Sequence, residues 1–225
     1  MIEVKQLKRS FKDGDRQIDV LKGIDFRAET GEFISIMGRS GAGKSTLLYQ
    51  MSLLDYPTSG EIIIDDVATE NLHADARTNF RLTHFGYVFQ DYALLPELTA
   101  IDNVVLPLLM QGVEKKKAYE RATETLTIVG LGHRLENIPS KMSGGEQQRV
   151  SIARGIVHHP KILFADEPTA NLDNESSATV MKLFQQLNKE GQTIIMVTHE
   201  PEYAKLADRI VKIDDGRILS IQKNH

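Results

Sequence analysis

The chain has 225 residues, of which 41% are hydrophobic, a formal net charge of −4 and no cysteine. This length suits one large domain or two small ones. The mild negative charge excludes a strong general attraction to nucleic acid, so no nucleic-acid partner is expected. The lack of cysteine excludes disulfides and thiolate metal sites. We expect neither a signal peptide nor a membrane span, because residues 1–5 lack an apolar core and apolar stretches such as 104–110 are too short to cross a bilayer.

The amino-terminal part predicts an antiparallel β layer. Residues 2–4 and 24–28 alternate between apolar and polar side chains, and Asp13-Gly14 lies between them. Alternation on both sides of an Asp-Gly pair is typical of half-buried strands that pair through a turn. The run 32–37 is short, apolar and rich in β-branched residues, so it predicts a buried strand.

A phosphate-binding loop follows this strand. Residues 38–46 fit the pattern G-x-x-x-x-G-K-[ST], and apolar residues at helical spacing (47, 48, 51 and 54) come next. A loop between a strand and a helix can bind phosphate through its backbone N–H groups and through the amino terminus of the helix. Lys44 would supply charge to the terminal phosphates and the Ser45 hydroxyl would ligate Mg²⁺; the alternative is a glycine turn before an ordinary helix. The loop consists of Gly38, Arg39, Ser40, Gly41, Ala42, Gly43, Lys44, Ser45 and Thr46.

The middle of the chain differs in character. Residues 58–60 predict a turn and 61–64 a strand, whereas the stretch from about 97 to 157 carries helical patterns. One helix is expected to start in the charged run 114–117, which is most simply a solvated helix start, and to end near Gly130 or Gly132. Its apolar face holds Tyr119, Ala122, Leu126 and Val129.

Two apolar strands in the last third of the chain end in polar residues that carry chemistry. Asp166 and Glu167 follow the run 161–165, and His199 follows the run 193–198. Because ligands bind at the carboxyl ends of parallel strands, these side chains would lie beside the phosphate loop if the strands are neighbours. One carboxylate could hold Mg²⁺, the other could accept a proton from water, and the imidazole could contact a terminal phosphate. The alternatives are a polar turn enforced by Pro168 and an ordinary surface histidine.

The remaining elements of this third are a helix and a hairpin. Apolar residues at helical spacing between 180 and 187 predict a helix that ends at Gly191. Asp215-Gly216 predicts a hairpin turn between strands at 210–213 and 218–221.

A second glycine-rich helix start precedes the amphipathic run 150–157. Ser143 and Glu146 form the capping-box pattern S-x-x-E, which is sufficient to explain a helix start. It does not explain why Gly144 and Gly145 fill the first turn, where each costs about 1 kcal/mol relative to alanine. Bare N–H groups at such a start form an anion site. One ATP needs only one phosphate-binding helix start, so a second molecule could supply the other.

These residues together resemble the ATP-binding-cassette (ABC) ATPases from end to end. The resemblance rests on six motifs in order: the loop 38–46, Gln90 after Tyr87-Val88-Phe89, the signature Ser143-Gly144-Gly145-Glu146-Gln147, the pair Asp166-Glu167, the loop Ala170-Asn171-Leu172-Asp173, and His199. Two departures are a methionine at position 142, where the family usually has leucine, and Arg39 in place of a common proline. Methionine conserves volume, and the Arg39 side chain should point away from phosphate.

The resemblance implies a mechanism and its site residues. In that family two cassettes meet head to tail, and each ATP with its Mg²⁺ lies between the phosphate loop of one and the signature of the other. Phe11 would stack on adenine, and Gln90 would contact Mg²⁺ and sense the membrane partner. Glu167 would be the general base, and Asp173 would communicate across the dimer. The catalytic set is therefore Lys44, Glu167 and His199, and the metal set is Ser45, Gln90 and Asp166.

The expected fold is α/β: a P-loop NTPase core with an amino-terminal antiparallel β layer and an inserted helical subdomain. We expect one ABC ATPase domain over residues 1–225, with a catalytic core at about 1–88 and 158–225 and a helical subdomain at about 89–157. The apolar or aromatic side chains of Tyr92, Leu94, Leu95 and Leu98 are expected to line a groove for the membrane partner, between the Gln90 loop and the helical insert. The alternative is that they only pack the insert against the core.

Residues 89–100 and 166–173 resemble the branch of macrolide exporters, lipoprotein-releasing complexes and cell-division cassettes. The resemblance implies an ATPase homodimer that drives a separately encoded integral membrane permease, by export, extraction or mechanotransmission, from the cytoplasmic face of the membrane. The alternative is a regulatory scaffold that binds ATP, dimerises and hydrolyses slowly. A DNA-repair or translation cassette is disfavoured because the chain has one cassette and no long coiled-coil insertion. A GTPase is disfavoured because no Asn-Lys-x-Asp motif is present.

Overall fold

The computed structural model describes residues 1–14 and 16–224, which form two sheets with helices. The smaller sheet has the order β2-β1-β4-β5 and is antiparallel. Its strands are β1 (Ile2–Asp13), β2 (Arg16–Ala28), β4 (Ser59–Ile64) and β5 (Val67–Ala68). The predicted antiparallel layer is thus confirmed, although Asp15 in the β1–β2 connection lies outside the described residues.

One boundary in this sheet was predicted wrongly. Ser59 and Gly60 belong to strand β4 and not to a turn. Gly60 has φ 95°, and a Cβ there would lie 2.5 Å from the Gln6 carbonyl oxygen. Only glycine allows this strand to pass so close to β1, so the residue marks a close approach rather than a turn.

The larger sheet has six strands in the order β10-β9-β3-β8-β7-β6. All neighbouring pairs are parallel except β9–β10, the hairpin predicted at Asp215-Gly216. The strands are β3 (Phe33–Met37), β6 (Phe85–Val88), β7 (Ile162–Asp166), β8 (Thr193–Val197), β9 (Arg209–Asp214) and β10 (Arg217–Lys223). Strand β8 lies between β3 and β7, so the strand before the phosphate loop does not neighbour the strand that ends in Asp166.

Seven α-helices connect the described strands, at α1 (Lys44–Met51), α2 (Ala74–His84), α3 (Ala100–Met110), α4 (Lys115–Ile128), α5 (Gly144–Ile156), α6 (Asn174–Lys189) and α7 (Pro201–Ala204). Helix α1 ends at Met51, so Leu54, which the spacing predicts on this helix, lies beyond its end and is 46% exposed. Among the described residues, no helix is long and apolar enough to cross a bilayer.

Two apolar clusters cover the two faces of the larger sheet. Alternate residues of its strands, such as Ile34 and Ile36, pack with α1 and the smaller sheet on one face. On the other face, Phe33 and Leu163 pack with helices α3, α4, α5 and α6. Helix α1 therefore packs between the two sheets, and this packing positions the phosphate loop that precedes it. Because the second cluster runs without a break from α3–α5 into the sheet, the division of the chain near residues 88 and 158 stays a prediction.

Candidate functional site

The loop between β3 and α1 is a bare backbone concavity. Gly43 occupies the N-cap of α1 with φ 97°, a conformation that favours glycine, and it brings no capping side chain to the first turn. A Cβ on Gly38 would lie 2.2 Å from the Ile213 carbonyl oxygen. The loop therefore needs glycine at both ends, and the N–H groups at the start of α1 remain available to an anion.

Lys44 folds back over this loop. Its Nζ donates to the carbonyl oxygen of Arg39 at 3.1 Å, and the residue is 7% exposed. The Arg39 side chain itself is exposed. The ammonium group is thus held at the rim of the concavity, where it can add positive charge to the backbone donors.

Asp166, at the end of β7, reaches the first turn of α1. The Ser45 Oγ donates to its Oδ1 at 2.9 Å. Burial raises the pKa of Asp166, the hydrogen bond from Ser45 opposes that rise, and the neighbouring Glu167 charge adds to it. A buried carboxylate beside a hydroxyl is the donor pair that Mg²⁺ prefers when phosphate oxygens supply further ligands. No group of three His, Asp or Glu residues suited to a metal occurs within residues 1–14 and 16–224.

Glu167 and His199 meet at the ends of neighbouring strands. The His199 Nδ1 lies 3.2 Å from the Glu167 Oε2. Glu167 has φ 45°, which is uncommon for a non-glycine residue. Its N–H donates to the Val197 carbonyl at 3.0 Å, and its carbonyl accepts from the Ala170 N–H at 3.1 Å. These bonds hold a strained backbone in place, which is typical of functional sites.

Gln90 and the loop that ends in Asp173 are joined through Asn171. Gln90 is exposed beyond β6, and its carbonyl accepts from the Asn171 Nδ2 at 3.0 Å. Asp173 caps α6 by accepting from the Ser176 N–H at 2.8 Å, which lowers the pKa of the Asp173 carboxyl. Gln90 follows strand β6, which neighbours the strand that ends in Asp166.

The glycine-rich start of α5 is a full capping box. Ser143 accepts from the Glu146 N–H at 3.2 Å, and Glu146 accepts from the Ser143 N–H at 2.8 Å. Cβ atoms on Gly144 and Gly145 would lie 2.9 Å from the Tyr92 hydroxyl and 2.6 Å from the Ser176 Oγ. Close packing therefore also requires glycine at both positions, which the sequence did not reveal. Among the described residues, no hydrogen bond or ion pair joins 143–146 to the phosphate loop.

Phe11 lies on β1 and is 41% exposed. The Arg9 guanidinium carbon sits 4.4 Å from its ring centroid, and Arg9 also pairs with Asp55, at 2.9 Å from Nε to Oδ2. Sequence reasoning missed Arg9, although its position two residues from Phe11 on the same strand places both side chains on one face. Arg9 therefore packs against the ring of Phe11.

The four predicted groove residues differ in exposure. Leu95 is 46% exposed, whereas Leu94 packs against the apolar cluster of the helices. Two adjoining clefts of about 280 and 260 Å³ lie between the sheet and the helices, and both are lined by Leu82, Phe85 and Tyr87. The first is also lined by Phe89 and Ala93 of the Gln90 loop and by Pro107 of α3, so a cleft does lie where the groove was predicted, with other lining residues. The second also contains the exposed side chains of Leu54 and Met110. None of Tyr92, Leu94, Leu95 and Leu98 lines either cleft.

The fold and this site define a P-loop NTPase core that carries a second, glycine-rich helix start on an inserted helical segment. A family model described as ABC transporter matches residues 21–170. The chain belongs to the ABC transporter family, as an ATP-binding cassette with ATPase activity.

Relatives and solved structures agree with this assignment. The chain is 46% identical over 221 residues to the uncharacterized ABC transporter ATP-binding protein MJ1508 of Methanocaldococcus jannaschii, covering 98% of this chain and 99% of that protein. It is 46% identical over 220 residues to the macrolide export ATP-binding/permease protein MacB of Aggregatibacter actinomycetemcomitans, covering 98% of this chain and 34% of MacB. The chain thus spans about a third of the MacB relatives that it matches.

The solved structure of the ATP-binding cassette MJ0796, a dimer in a post-hydrolysis state bound to ADP and Pi, matches with a TM-score of 0.94. That match has 38% identity and covers 100% of this chain and 99% of the other. The expected ABC fold, with its P-loop core, β layer and helical segment, is confirmed.

Proposed function

We propose that two copies of this chain bind two ATP molecules head to tail, hydrolyse them, and thereby drive a separate integral membrane permease. One observation supports the dimer. The chain has two glycine-rich helix starts that could bind phosphate, at Gly43–Ser45 and at Ser143–Glu146, and no hydrogen bond or ion pair among the described residues links them. A second copy would bring its own signature to the phosphate loop and complete the site. The dimeric MJ0796 structure supports this arrangement.

Within each site, the residues of this chain divide the work. Lys44 and the N–H groups of the loop would hold the terminal phosphates, and Phe11 would stack on the adenine. Ser45, Asp166 and Gln90 would hold Mg²⁺, which on binding neutralises phosphate charge. The buried carboxylate fits this role because a cation would offset the cost of its burial.

Glu167 would accept the proton of the attacking water, and His199 would orient that carboxylate and contact the terminal phosphate. The 3.2 Å contact between the two side chains supports this pairing. Asp173, which caps α6 next to the signature at the start of α5, would relay closure across the dimer.

The permease partner is supported by the MacB relatives, whose names combine ATP-binding and permease functions in one protein. The chain also covers 99% of MJ1508, whose name gives only an ATP-binding function, and on that likeness we propose that the membrane part is a separate protein. The cassette would then dock on the cytoplasmic face of the membrane. Export, lipoprotein extraction and mechanotransmission are all compatible with this arrangement.

Affinity purification from membranes, followed by identification of what is retained, tests this proposal. We expect one integral membrane protein to co-purify and to change the ATPase rate of the cassette in reconstituted vesicles. A partner that co-purifies while turnover stays very slow with and without it would favour the regulatory scaffold. Retention of ribosomal or DNA-repair proteins in its place would contradict the proposal.

A further inference from the structure

A buried glutamine joins the signature helix to the backbone of the proposed general base. Gln148 lies one turn into α5, four residues after Gly144, and is 0% exposed. Its Nε2 donates to the carbonyl oxygen of Pro168 at 2.8 Å. The amide orientation is fixed, because a carbonyl can only accept and must face the Nε2 side of the amide.

Pro168 is the residue directly after Glu167, and this short loop has little freedom. The Glu167 backbone is held at φ 45° by its N–H bond to Val197. On the far side of Pro168, the Thr169 Oγ1 donates to the Glu200 Oε1 at 2.7 Å, next to His199. The loop 167–169 is therefore fixed between α5 and the segment that carries His199.

The start of α5, like the loop 167–169, is closely packed against its neighbours. A Cβ on Gly145 would lie 2.6 Å from the Ser176 Oγ, so α5 rests directly on the start of α6. The Arg134 Nε also donates to the Glu146 Oε1 at 3.0 Å. A close-packed helix moves as a unit, so a displacement at Ser143–Glu146 is carried one turn along to Gln148.

We propose that Gln148 is a positioning residue that couples the two ATP sites of the dimer. This inference rests on the proposed function. The signature of each chain faces the nucleotide held by its partner, whereas Glu167 serves the nucleotide of its own chain. The Gln148–Pro168 hydrogen bond thus links the binding of one ATP to the placement of the base that activates water for hydrolysis of the other.

A purely structural role would be to satisfy the Pro168 carbonyl. The two roles differ in what Gln148→Met changes, since methionine keeps the length of the side chain and removes the donor. A structural role would change stability and leave cooperativity intact. A coupling role would change cooperativity while each monomer still binds nucleotide normally.

The test compares Gln148→Met with wild type and with Gln186→Met, a surface glutamine on α6 that donates to Glu190. ATPase rates are measured against ATP concentration, and Mg-ADP affinity of the monomer is measured by calorimetry. For Gln148→Met we expect the Hill coefficient to fall from about 2, the number of coupled sites, toward about 1. We also expect kcat to fall about 10- to 100-fold, the usual loss for a misplaced catalytic group. Monomer affinity should stay within about twofold of wild type, and Gln186→Met should match wild type.

Dimer formation provides a second measurement that does not depend on turnover. In a Glu167→Gln background, ATP should still produce the dimer of Gln148→Met on size exclusion, because the signature surface is unchanged. Loss of that dimer would overturn the proposal by showing that Gln148 acts in docking.

The remaining outcomes also decide between the roles. A wild-type Hill coefficient and kcat in Gln148→Met would overturn the coupling role. If Gln148→Met does not fold, Gln148→Leu, which has a similar volume and no donor, replaces it with the same expectations, and misfolding of both would assign a structural role. If wild type itself shows a Hill coefficient of about 1 and a rate linear in protein concentration, the head-to-tail dimer of the proposed function fails first.

Discussion

Ser45 and Asp166 are joined by a hydrogen bond of 2.9 Å although strand β8 lies between the strands that precede them. The contact forms because α1 leaves the end of β3 and packs across the sheet face toward β7, between the two sheets. Asp166 is itself buried, which raises the pKa of its carboxyl. The hydroxyl–carboxylate pair is therefore assembled by the helix crossing, and not by strand adjacency.

Glu167→Gln should leave ATP binding intact and slow hydrolysis by about 10²- to 10⁴-fold, the usual loss for a general base. The amide has nearly the same shape but cannot take a proton. The ATP-bound dimer should then accumulate with ATP and be absent with ADP on size exclusion. Glu202→Gln, an exposed carboxylate near His199, is the matched control. Normal hydrolysis by Glu167→Gln would remove Glu167 from the catalytic set.

Lys44→Ala should abolish nucleotide binding rather than turnover alone. The ammonium group is the side-chain charge held over the loop, through its 3.1 Å bond to the Arg39 carbonyl, and it would offset the crowded phosphates. Calorimetry with Mg²⁺ present should detect no ATP binding, while Lys182→Ala on the exposed face of α6 should bind as wild type does. Micromolar affinity in Lys44→Ala would contradict this role.

The phosphate loop and the polar residues at the strand ends were predictable because each is defined by residues that are contiguous in the sequence. The pattern at 38–46 and the apolar runs before Asp166 and His199 each need only local sequence. The order of the strands was not predictable in this way. Whether β8 or β7 neighbours β3 depends on crossover connections, and no local residue pattern reports them.

The contacts that support the site were also hidden from the sequence. Gly145 packs on Ser176, and Gln148 reaches Pro168, across 31 and 20 residues of chain respectively. Such contacts depend on how α5 lies against α6, which hydrophobic periodicity alone does not determine. Arg9 differs from these residues because it has a local signal: a side chain two positions from Phe11 on the same strand lies on the same face.

Ser143→Arg should spare ATP binding by the monomer and destroy dimerisation and hydrolysis, because it places bulk where the partner's phosphate must dock. The substitution also removes the α5 cap, at a cost of about 1 kcal/mol. Ser143→Asn, which keeps a capping oxygen, separates the two effects and should retain more dimer. Loss of nucleotide binding by a folded Ser143→Arg monomer would show that the signature acts within its own chain.

A mixture of Ser143→Arg and Lys44→Ala sharpens this test. In a head-to-tail dimer, the sound phosphate loop of the first variant meets the sound signature of the second and rebuilds one intact site. ATPase activity above the sum of the separate variants is expected when the two are mixed. If both sites must close together, the mixture should still form an ATP-dependent heterodimer, visible by size exclusion, and absence of both would argue against the arrangement.

Stability should fall as the pH drops below about 7 because of His158. Its Nε2 donates to the Phe85 carbonyl at 2.9 Å, while its Nδ1 is buried without a partner among residues 1–14 and 16–224. Burial lowers the pKa of His158 below its ordinary value of 6.5. Between the folded and unfolded pKa values, the unfolded chain therefore binds more protons, so acid favours unfolding.

Urea unfolding at a series of pH values between 7 and 5 measures this effect. His158→Gln, which retains a donor for the Phe85 carbonyl, should show a flatter dependence of unfolding free energy on pH. Burial also lowers the pKa of His84, so a residual slope is expected. His133→Gln, at an exposed position, should keep the wild-type slope. An unchanged slope in His158→Gln would mean that the imidazole is not titrated on unfolding.

Two exposed leucines distinguish two surfaces on which the permease could dock. Leu95 and Leu54 are both 46% exposed, but Leu54 lines the cleft of about 260 Å³ between the sheet and the helices, and Leu95 lines neither cleft. A concave apolar cleft is the geometry that accepts a partner helix, and a carboxylate placed in it would be desolvated by docking. Leu54→Glu should therefore reduce permease recovery in pull-downs from membranes while the soluble ATPase rate stays at the wild-type level.

Leu95→Glu should reduce permease recovery in the same way only if the surface beyond Gln90 also contacts the permease. Loss from Leu95→Glu alone would move the docking site to that surface, and wild-type recovery of both would place it elsewhere on the cassette.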